Sequence, residues 1–353
     1  MLNKKRFLGP VLTALVLSFT LGAPSVNVQA ETDSIATTRT GQSDRIGTAD
    51  QVALDLFKSA QNVVLVNGYG YADAVSATPL AKQLNAPILL THGEDSLESQ
   101  VSSTISSLGA KKVYIVGGTG VVSQSIEDDL KSSYDVERIT GTTDTTRMGT
   151  NAAVAEKVLD MSKQKSAILV NGQDGYADSL SAAPIAAKNG YPVLFANTEE
   201  VPDVVKNIIT SNSLTVQAVG GSGVLPQSVV SSVGGTKVTS DSDTVNRFAT
   251  NLAVLSYFKS SLDFSSVYVA AGGASDDQFA DALVASAAAA KTGSPLVLTG
   301  AGAGETEIQN ANAYILSNAN DSSKAIIVGG TASVSQEIQT TLENDDFGII
   351  GIE

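Results

Sequence analysis

The apolar positions along the chain follow two patterns that recur together three times. Short aliphatic runs, such as residues 63–66, 167–170 and 267–270, each lead to a glycine corner and predict buried strands. Between such runs, apolar residues recur at three- and four-residue spacing, as at Val154 and Val158, which predicts helices. Because strands that alternate with helices pair in parallel through right-handed crossovers, each copy is predicted to be an α/β unit with a parallel sheet.

The three copies share an ordered set of motifs at an interval of about 100 residues, which is the size of a domain. Each copy opens with an arginine and a threonine, and a Tyr/Phe-Ala-Asp triplet follows its first strand. A later strand ends in Gly-Gly, and a last extended piece closes the copy, near residues 347–350 in the third. We predict units at residues 39–139, 140–242 and 243–353.

The first thirty residues have the features of a secretory signal. A basic start at residues 4–6 precedes an apolar run over 7–21, and Val-Gln-Ala at 28–30 suits cleavage. The apolar run is shorter than the roughly 20 residues that a membrane-spanning helix needs. We therefore predict a signal peptide at 1–30, a flexible segment at 31–38, and a secreted protein with no membrane span after cleavage.

The composition limits the classes of partner and of site. The chain has no cysteine, which excludes disulfides, thiolate metal ligands and a lipid-modified cysteine. Its net charge is −14, and the predicted signal peptide holds three basic and no acidic residues, so the exported part is more negative still. Nucleic acid is not expected as a partner, because phosphate binding needs clustered lysine and arginine and no such run is present.

Residues suited to catalysis are sparse. His92 is the only histidine, and Asn197 and Gly300 take its place in the other copies, so a zinc site or a histidine-dependent triad would lack partners. The Gly-Gly pairs are typical of tight turns. They also resemble part of a dinucleotide-binding turn, which is the weaker of the two signals. We predict a protein that is not an enzyme and has no catalytic residues, cofactor or metal.

Residues that recur at equivalent positions are the candidates for binding. Asp73, Asp178 and Asp281 fall in the first turn of a predicted helix, where a carboxylate either interacts with the helix dipole or contacts a ligand. An arginine either pairs with a neighbouring acid or binds an anionic group with its planar guanidinium. The arginines of the three copies, and the asparagines before two of the glycine corners, are Arg45, Arg147, Arg247, Asn67 and Asn171.

Taken in order, the motifs resemble one known family. Arg-x-x-Thr, Asn-Gly-x-x-Tyr-Ala-Asp, Pro-Ile-Leu-Leu-Thr and Val-Gly-Gly are similar to the clostridial-type cell wall-binding repeat, often called type 2. The resemblance implies three tandem Rossmann- or flavodoxin-like units around a pseudo-threefold axis. It also implies non-covalent binding to an anionic polymer of the Gram-positive wall, either a polysaccharide or a teichoic-acid-like polymer. The third unit departs from the pattern at Ala271 and Phe279.

Three functions stay open at this point. The resemblance favours a binding protein of the cell wall or cell surface, associated with a surface layer. Most wall-anchored relatives carry an added catalytic, adhesive or repeat domain, for which we expect no room in this chain. One alternative is a cell-wall hydrolase or amidase, or a modifier that has an autolysin as its partner. The other is a structural surface-layer component that assembles through protein contacts.

Overall fold

The computed structural model describes residues 34–173, 177–275 and 278–344. The predicted signal peptide and the extended piece near 347–350 therefore lie outside the described residues. The described part forms three four-stranded parallel sheets with helices against them, as the sequence pattern predicts.

Twelve strands are present in the described residues, and each pairs in parallel with its neighbours. Their bounds are β1 Ala36–Thr40, β2 Asn62–Asn67, β3 Ile88–Thr91, β4 Lys112–Val116, β5 Asp135–Ile139, β6 Ser166–Asn171, β7 Val193–Ala196, β8 Thr215–Ala218, β9 Thr236–Lys237, β10 Ser266–Ala271, β11 Leu296–Thr299 and β12 Lys324–Val328.

Twelve α-helices connect these strands in the same part of the chain. Their bounds are α1 Arg45–Val52, α2 Tyr71–Leu84, α3 Ser99–Ser107, α4 Gln124–Lys131, α5 Arg147–Ser162, α6 Ala177–Asn189, α7 Asp203–Asn212, α8 Gln227–Ser231, α9 Arg247–Tyr257, α10 Ala280–Thr292, α11 Glu305–Asn318 and α12 Gln336–Glu343. A π-helical turn over Ala53–Phe57 extends α1.

The first two sheets have the same strand order, β3-β2-β4-β5 and β7-β6-β8-β9. The first strand of each unit lies inside its sheet, which explains why residues 63–66 and 167–170 are apolar without alternation and fully buried. The third sheet has the corresponding order β11-β10-β12-β1, so its last strand comes from the other end of the chain.

Strand β1 closes the molecule by pairing with β12, with Ala36 opposite Lys324 and Thr40 opposite Val328. The prediction of a flexible segment over 31–38 is therefore wrong for residues 36–38. The physical reason is that the edge of β12 would otherwise leave backbone N–H and C=O groups unpaired. The short polar segment pairs with these groups and becomes the edge strand of the sheet. In sheet order, β1 stands where β5 and β9 stand in the other units.

The three units meet at the helices α2, α6 and α10, each of which contacts the other two. These helices are rich in alanine, and Ala74, Ala183 and Ala285 are fully buried. Small side chains allow close approach of the helix backbones. The contacts also run in one direction around the ring, because α5 packs on α2, α9 packs on α6 and α1 packs on α10. The predicted pseudo-threefold arrangement is confirmed.

Two buried asparagines each bind the edge strand of a different sheet. Asn151 in α5 donates from Nδ2 to the Val193 carbonyl at 2.8 Å and accepts at Oδ1 from the Phe195 amide at 3.0 Å. Its side-chain amide thus pairs with edge strand β7 as a further strand would. Asn251 repeats the arrangement on β11, whereas Ala49 holds the position in the first unit.

Candidate functional site

One kind of junction recurs three times, where the carboxyl edge of one sheet meets the opening helix of the next unit, and we call each junction a groove. Each groove brings together a predicted aspartate and a predicted arginine, the aspartate from one unit and the arginine from the following one. We name them groove 1/2 with Asp73 and Arg147, groove 2/3 with Asp178 and Arg247, and groove 3/1 with Asp281 and Arg45.

The arginines are held by the glycine corner of their own unit. In every case Nη1 donates to the carbonyl of the corner glycine, which fixes the guanidinium at the groove. The distances are 2.8 Å from Arg45 to Gly68, 3.3 Å from Arg147 to Gly172 and 3.1 Å from Arg247 to Gly272. Arg147 is exposed, whereas Arg45 and Arg247 are half-buried.

Aromatic residues of the Tyr/Phe-Ala-Asp triplet join neighbouring units at the same place. The Tyr71 hydroxyl donates to the Gly172 carbonyl at 3.0 Å, and the Arg147 guanidinium lies 5.3 Å from the centre of the Tyr71 ring. Phe279 likewise lies 5.8 Å from the Arg45 guanidinium. Cation–π attraction therefore contributes to both contacts. The corresponding Tyr176 lies outside the described residues.

The aspartates lie in the first helical turn, as predicted, and are largely buried. Burial raises the pKa of Asp73 to about 6, against a smaller lowering by the charge of Arg147. Burial raises the pKa of Asp178 and of Asp281 as well, with Arg247 and Arg45 acting in the opposite direction. A fraction of the Asp73 carboxyls is therefore protonated in mildly acidic solution, which changes the charge of groove 1/2.

The Gly-Gly pairs have a steric explanation. Gly117 has a φ of +121°, and a Cβ at this position would lie 2.8 Å from Oδ2 of Asp73. Gly220 and Gly329 also have positive φ, and a Cβ at these positions would lie 2.9 Å from Oδ2 of Asp178 and closer still to Oδ2 of Asp281. The close approach of carboxyl and backbone accounts for the glycine, and it favours the tight-turn interpretation over a nucleotide-binding one.

The two predicted asparagines hold loops at the edge of the grooves. Asn67 donates from Nδ2 to the Val121 carbonyl at 2.8 Å and accepts from the Tyr69 amide at 2.7 Å. Asn171 donates to the Val224 carbonyl at 2.6 Å. Their amide groups are thus used by the backbone, which positions the glycine corners. A direct contact with a ligand stays a prediction for both.

Sequence reasoning missed a second basic residue at each groove. Arg39, Arg138 and Lys237 occupy equivalent register positions on the last strand of the three sheets. Arg39 donates to the carbonyls of Gly329 and Gly330, at 3.0 and 3.2 Å. The sequence did carry a signal for this residue, which is a basic residue one or two positions before a threonine. It was missed because Arg39 comes before the opening arginine of the first unit, whereas Arg138 and Lys237 lie at the ends of the first and second units.

Groove 3/1 contains a cleft of about 600 Å³. Its polar wall includes Asp44, Arg45, Gln278 and Ser333, and Tyr69 supplies an aromatic ring. Arg45 lies there among amide and hydroxyl groups and the two carboxyls of Asp44 and Asp281, so the cleft offers one cation to an anionic group and polar partners to hydroxyls. In the part of the chain that the structure describes, no cluster of His, Asp and Glu is arranged to hold a metal ion, and no helix has the length and hydrophobicity of a membrane span.

Comparison of the sequence with known families connects this arrangement to one of them. The family described as Cell wall binding domain 2 (CWB2) matches residues 39–127, 138–230 and 243–339. The chain belongs to this family. The three matches follow the three sheets of the structure and confirm the resemblance seen in the motifs. The chain therefore carries three copies of a cell wall-binding domain.

Two curated relatives come from Bacillus subtilis strain 168. The N-acetylmuramoyl-L-alanine amidase LytC is 35% identical over 312 residues, which are 88% of this chain and 58% of the amidase. The protein named amidase enhancer is 27% identical over 318 residues, 89% of this chain and 41% of the enhancer. The chain thus spans about half the length of these relatives.

Two solved structures share the fold. Cwp6 from Clostridium difficile superposes with a TM-score of 0.74 at 25% identity, covering 88% of this chain and 48% of Cwp6. Cwp8 from the same organism superposes with a TM-score of 0.72 at 27% identity, covering 87% of this chain and 52% of Cwp8. The agreement over nearly the whole chain confirms the α/β fold and the arrangement of its three units.

Proposed function

We propose that the protein is exported and holds non-covalently to an anionic secondary polymer of the bacterial wall, without catalysing a reaction. The observation that carries this proposal is the recurrence of one arginine, Arg45, Arg147 or Arg247, at each of three equivalent grooves. A guanidinium binds a phosphate or carboxylate through two parallel hydrogen bonds. Three such sites on one molecule engage a repeating polymer at several points, which raises the overall affinity without tight binding at any one site.

The net charge of −14 does not oppose this binding at short range. At physiological ionic strength, charges more than about 8 to 10 Å apart are largely screened. A polymer anion in a groove therefore responds mainly to the charged groups there, which are the arginine, the aspartate and the second basic residue. Burial raises the pKa of each aspartate, which reduces the negative charge that opposes the anion. The excess of negative charge on the rest of the protein disfavours non-specific electrostatic binding of the polymer outside the grooves.

The proposal is tested by binding the purified chain, without residues 1–30, to Gram-positive walls before and after chemical removal of their secondary polymer. We expect binding to be lost with the polymer and to fall with rising salt. Retention on stripped walls would contradict the proposal and would favour peptidoglycan or protein contacts, as expected for a structural surface-layer component.

A variant of the most exposed arginine sharpens the test. Arg147→Gln removes the cation of groove 1/2 and should weaken binding to intact walls, because one of three anion sites is lost. Lys163→Gln is the matched control, since Lys163 has a side chain 75% exposed at the end of α5, away from the groove. Equal binding by the two variants, with unchanged thermal unfolding, would remove Arg147 from the proposed site.

The relatives named as an amidase and an amidase enhancer favour a second candidate function. In that case the chain modifies the action of a separate autolysin on the wall. Zymography with the purified chain alone, and with an added wall amidase, separates the possibilities. Clearing by the chain alone would indicate a hydrolase, and faster clearing only in the mixture would indicate a modifier.

A further inference from the structure

One feature of groove 3/1 has no counterpart in the sequence of the other two copies. Tyr69 and His92 place two aromatic rings at its edge. The equivalent positions hold Gln173 and Asn197 in the second unit, and Gly273 and Gly300 in the third. The aromatic pair is therefore an addition to one copy and not a requirement of the repeated fold.

The two rings form a fixed and accessible surface. Tyr69 is 53% exposed, its ring stacks on that of His92 with centroids 4.8 Å apart, and its hydroxyl lies 2.8 Å from Nε2 of His92. Glu98 holds His92 from behind, with 2.7 Å between Oε1 and Nδ1. A ring that is exposed to this degree contributes little to the core. Because it is also held in one orientation, it is suited to contact a ligand.

The cation of the groove lies directly beside this surface. The Arg45 guanidinium is 4.4 Å from the centre of the Tyr69 ring and also donates to the Gly68 carbonyl. Arg45 and Tyr69 line the same cleft of about 600 Å³, together with Gln278 and Ser333. That volume lies within the range of pockets that hold one small ligand or one residue of a polymer.

We propose that Tyr69 and His92 form a sugar-binding subsite in groove 3/1, which takes a hexopyranose ring whose own or adjoining anionic group binds Arg45. The apolar face of a pyranose packs on an aromatic ring, and its hydroxyls meet the amide of Gln278 and the hydroxyl of Ser333. The inference rests on the proposed binding of a wall polymer and deepens it. Groove 3/1 recognises the sugar, whereas the other two grooves recognise the anion alone.

The anion can belong to the sugar itself, as in a uronate, or to a phosphodiester next to it. Three probes distinguish these sources in calorimetric titrations of the chain without residues 1–30. They are poly(glycerol phosphate) carrying glucosyl groups, the same polymer without them, and polygalacturonate. We expect the glucosylated polymer or polygalacturonate to bind more tightly than the unsubstituted polymer, and the tighter of the two identifies the source of the anion.

The test uses Tyr69→Ala, with Tyr69→Phe and Tyr257→Ala as controls. Tyr257 is 55% exposed at the far end of α9, outside the grooves. Tyr69→Ala should weaken binding of the preferred sugar-bearing polymer about 5- to 10-fold, and weaken binding of the unsubstituted polymer clearly less, because there only the contact of the ring with Arg45 is lost. Tyr69→Phe keeps the ring and should retain most of the affinity, and Tyr257→Ala should have no effect.

Two results would overturn the inference. If Tyr69→Ala weakens all polymers equally, or none, while the unaltered chain binds them, the aromatic subsite is wrong but polymer binding stands. If the unaltered chain binds none of the three probes and does not bind intact walls, the proposed function itself fails, and the subsite with it. Because Tyr69 is exposed, its replacement leaves the core intact, which thermal unfolding of each variant checks.

Discussion

Arg39 donates a hydrogen bond of 3.0 Å to the carbonyl of Gly329, which joins the first strand of the described chain to the last sheet. The equivalent contact in the first unit runs from Arg138 to the Gly117 carbonyl at 2.9 Å, within one stretch of sequence. The same local bond thus fixes the Gly-Gly corner in both units, but in the third unit it also closes the ring. The arrangement of groove 3/1 depends on this closure.

We expect Arg39→Ala to destabilise the protein by about 1.5 to 3 kcal/mol, because hydrogen bonds from a charged donor to two carbonyls are lost. Chemical denaturation measures the change, and hydrogen exchange should show faster exchange in β12. Lys111→Ala is the control, since Lys111 is exposed in a loop of the first unit. An equal, small effect of both substitutions would show that the Arg39 side chain contributes little to the closure of the third sheet.

Gly117→Ala should be destabilising by more than about 1 kcal/mol. The alanine would have to adopt a φ of +121° and its Cβ would lie 2.8 Å from Oδ2 of Asp73 and 2.5 Å from Cγ2 of Val121. Gly120→Ala, in the same loop, has open space around the new Cβ and should be nearly neutral. Thermal unfolding of both variants tests the argument, and similar melting temperatures would refute it.

Asn251→Ala should cost about 1 to 3 kcal/mol, because the Leu296 carbonyl and the Leu298 amide of edge strand β11 both lose a buried partner. Exchange of the Leu298 amide should accelerate most strongly, which a loss of general packing would not produce. Asn310→Ala, at an exposed site of α11, provides the control. Unchanged protection of Leu298 would show that the edge is covered in another way.

Asp50→Asn should stabilise the protein at neutral pH and change little in acid. Burial raises the pKa of Asp50 to about 6, with further raising by Glu98 and Asp44 and a lowering by Thr104. A carboxyl whose pKa is higher in the folded state contributes stability below its unfolded pKa, and this contribution is lost as the pH rises through the folded pKa.

The difference in unfolding free energy between Asp50→Asn and the unaltered protein should thus be small near pH 4 and grow to at most about 3 kcal/mol above pH 7. Urea denaturation at several pH values measures it. A difference that does not vary between pH 4 and pH 8 would show that burial does not raise the pKa of Asp50 in the folded protein.

Binding to the anionic polymer should strengthen as the pH falls from 8 to 5. Protonation of Asp73, whose pKa burial raises to about 6, leaves the charge of Arg147 less compensated in groove 1/2. Asp73→Asn should reproduce the effect of protonation at pH 8 and raise the affinity for the polymer about 2- to 5-fold, which is the range expected for an interaction with the exposed charge of Arg147. Asp160→Asn, 74% exposed on α5, is the control. Weaker binding by Asp73→Asn would indicate that the carboxylate itself contacts the ligand.

Repetition within the chain was enough to predict the elements. The aliphatic run at 63–66 lies in β2, and the three aspartates lie in the first turns of α2, α6 and α10, as expected. These features depend on residues close in sequence, where periodicity and glycine corners carry direct information. The order of the recurring motifs was also enough to indicate the family.

The partners of the predicted residues could not be read from the same pattern. Each motif contains an arginine and an aspartate, and pairing within one unit is as consistent with the sequence as pairing between units. The structure pairs Arg147 with Asp73 of the preceding unit because the central helices pack around a common axis, which brings the carboxyl edge of one sheet against the opening helix of the next.

The sequence by itself determined the α/β units, their number and the positions that recur in them, because local hydrophobic spacing and turn chemistry specify strands and helices. The tertiary structure alone decided that β1 completes the third sheet, that Asn151 and Asn251 cover sheet edges, and that Tyr69 lies over Arg45 in groove 3/1. Such contacts join residues far apart along the chain, and they arise because unpaired strand edges and buried polar groups must find partners wherever the packed units place them.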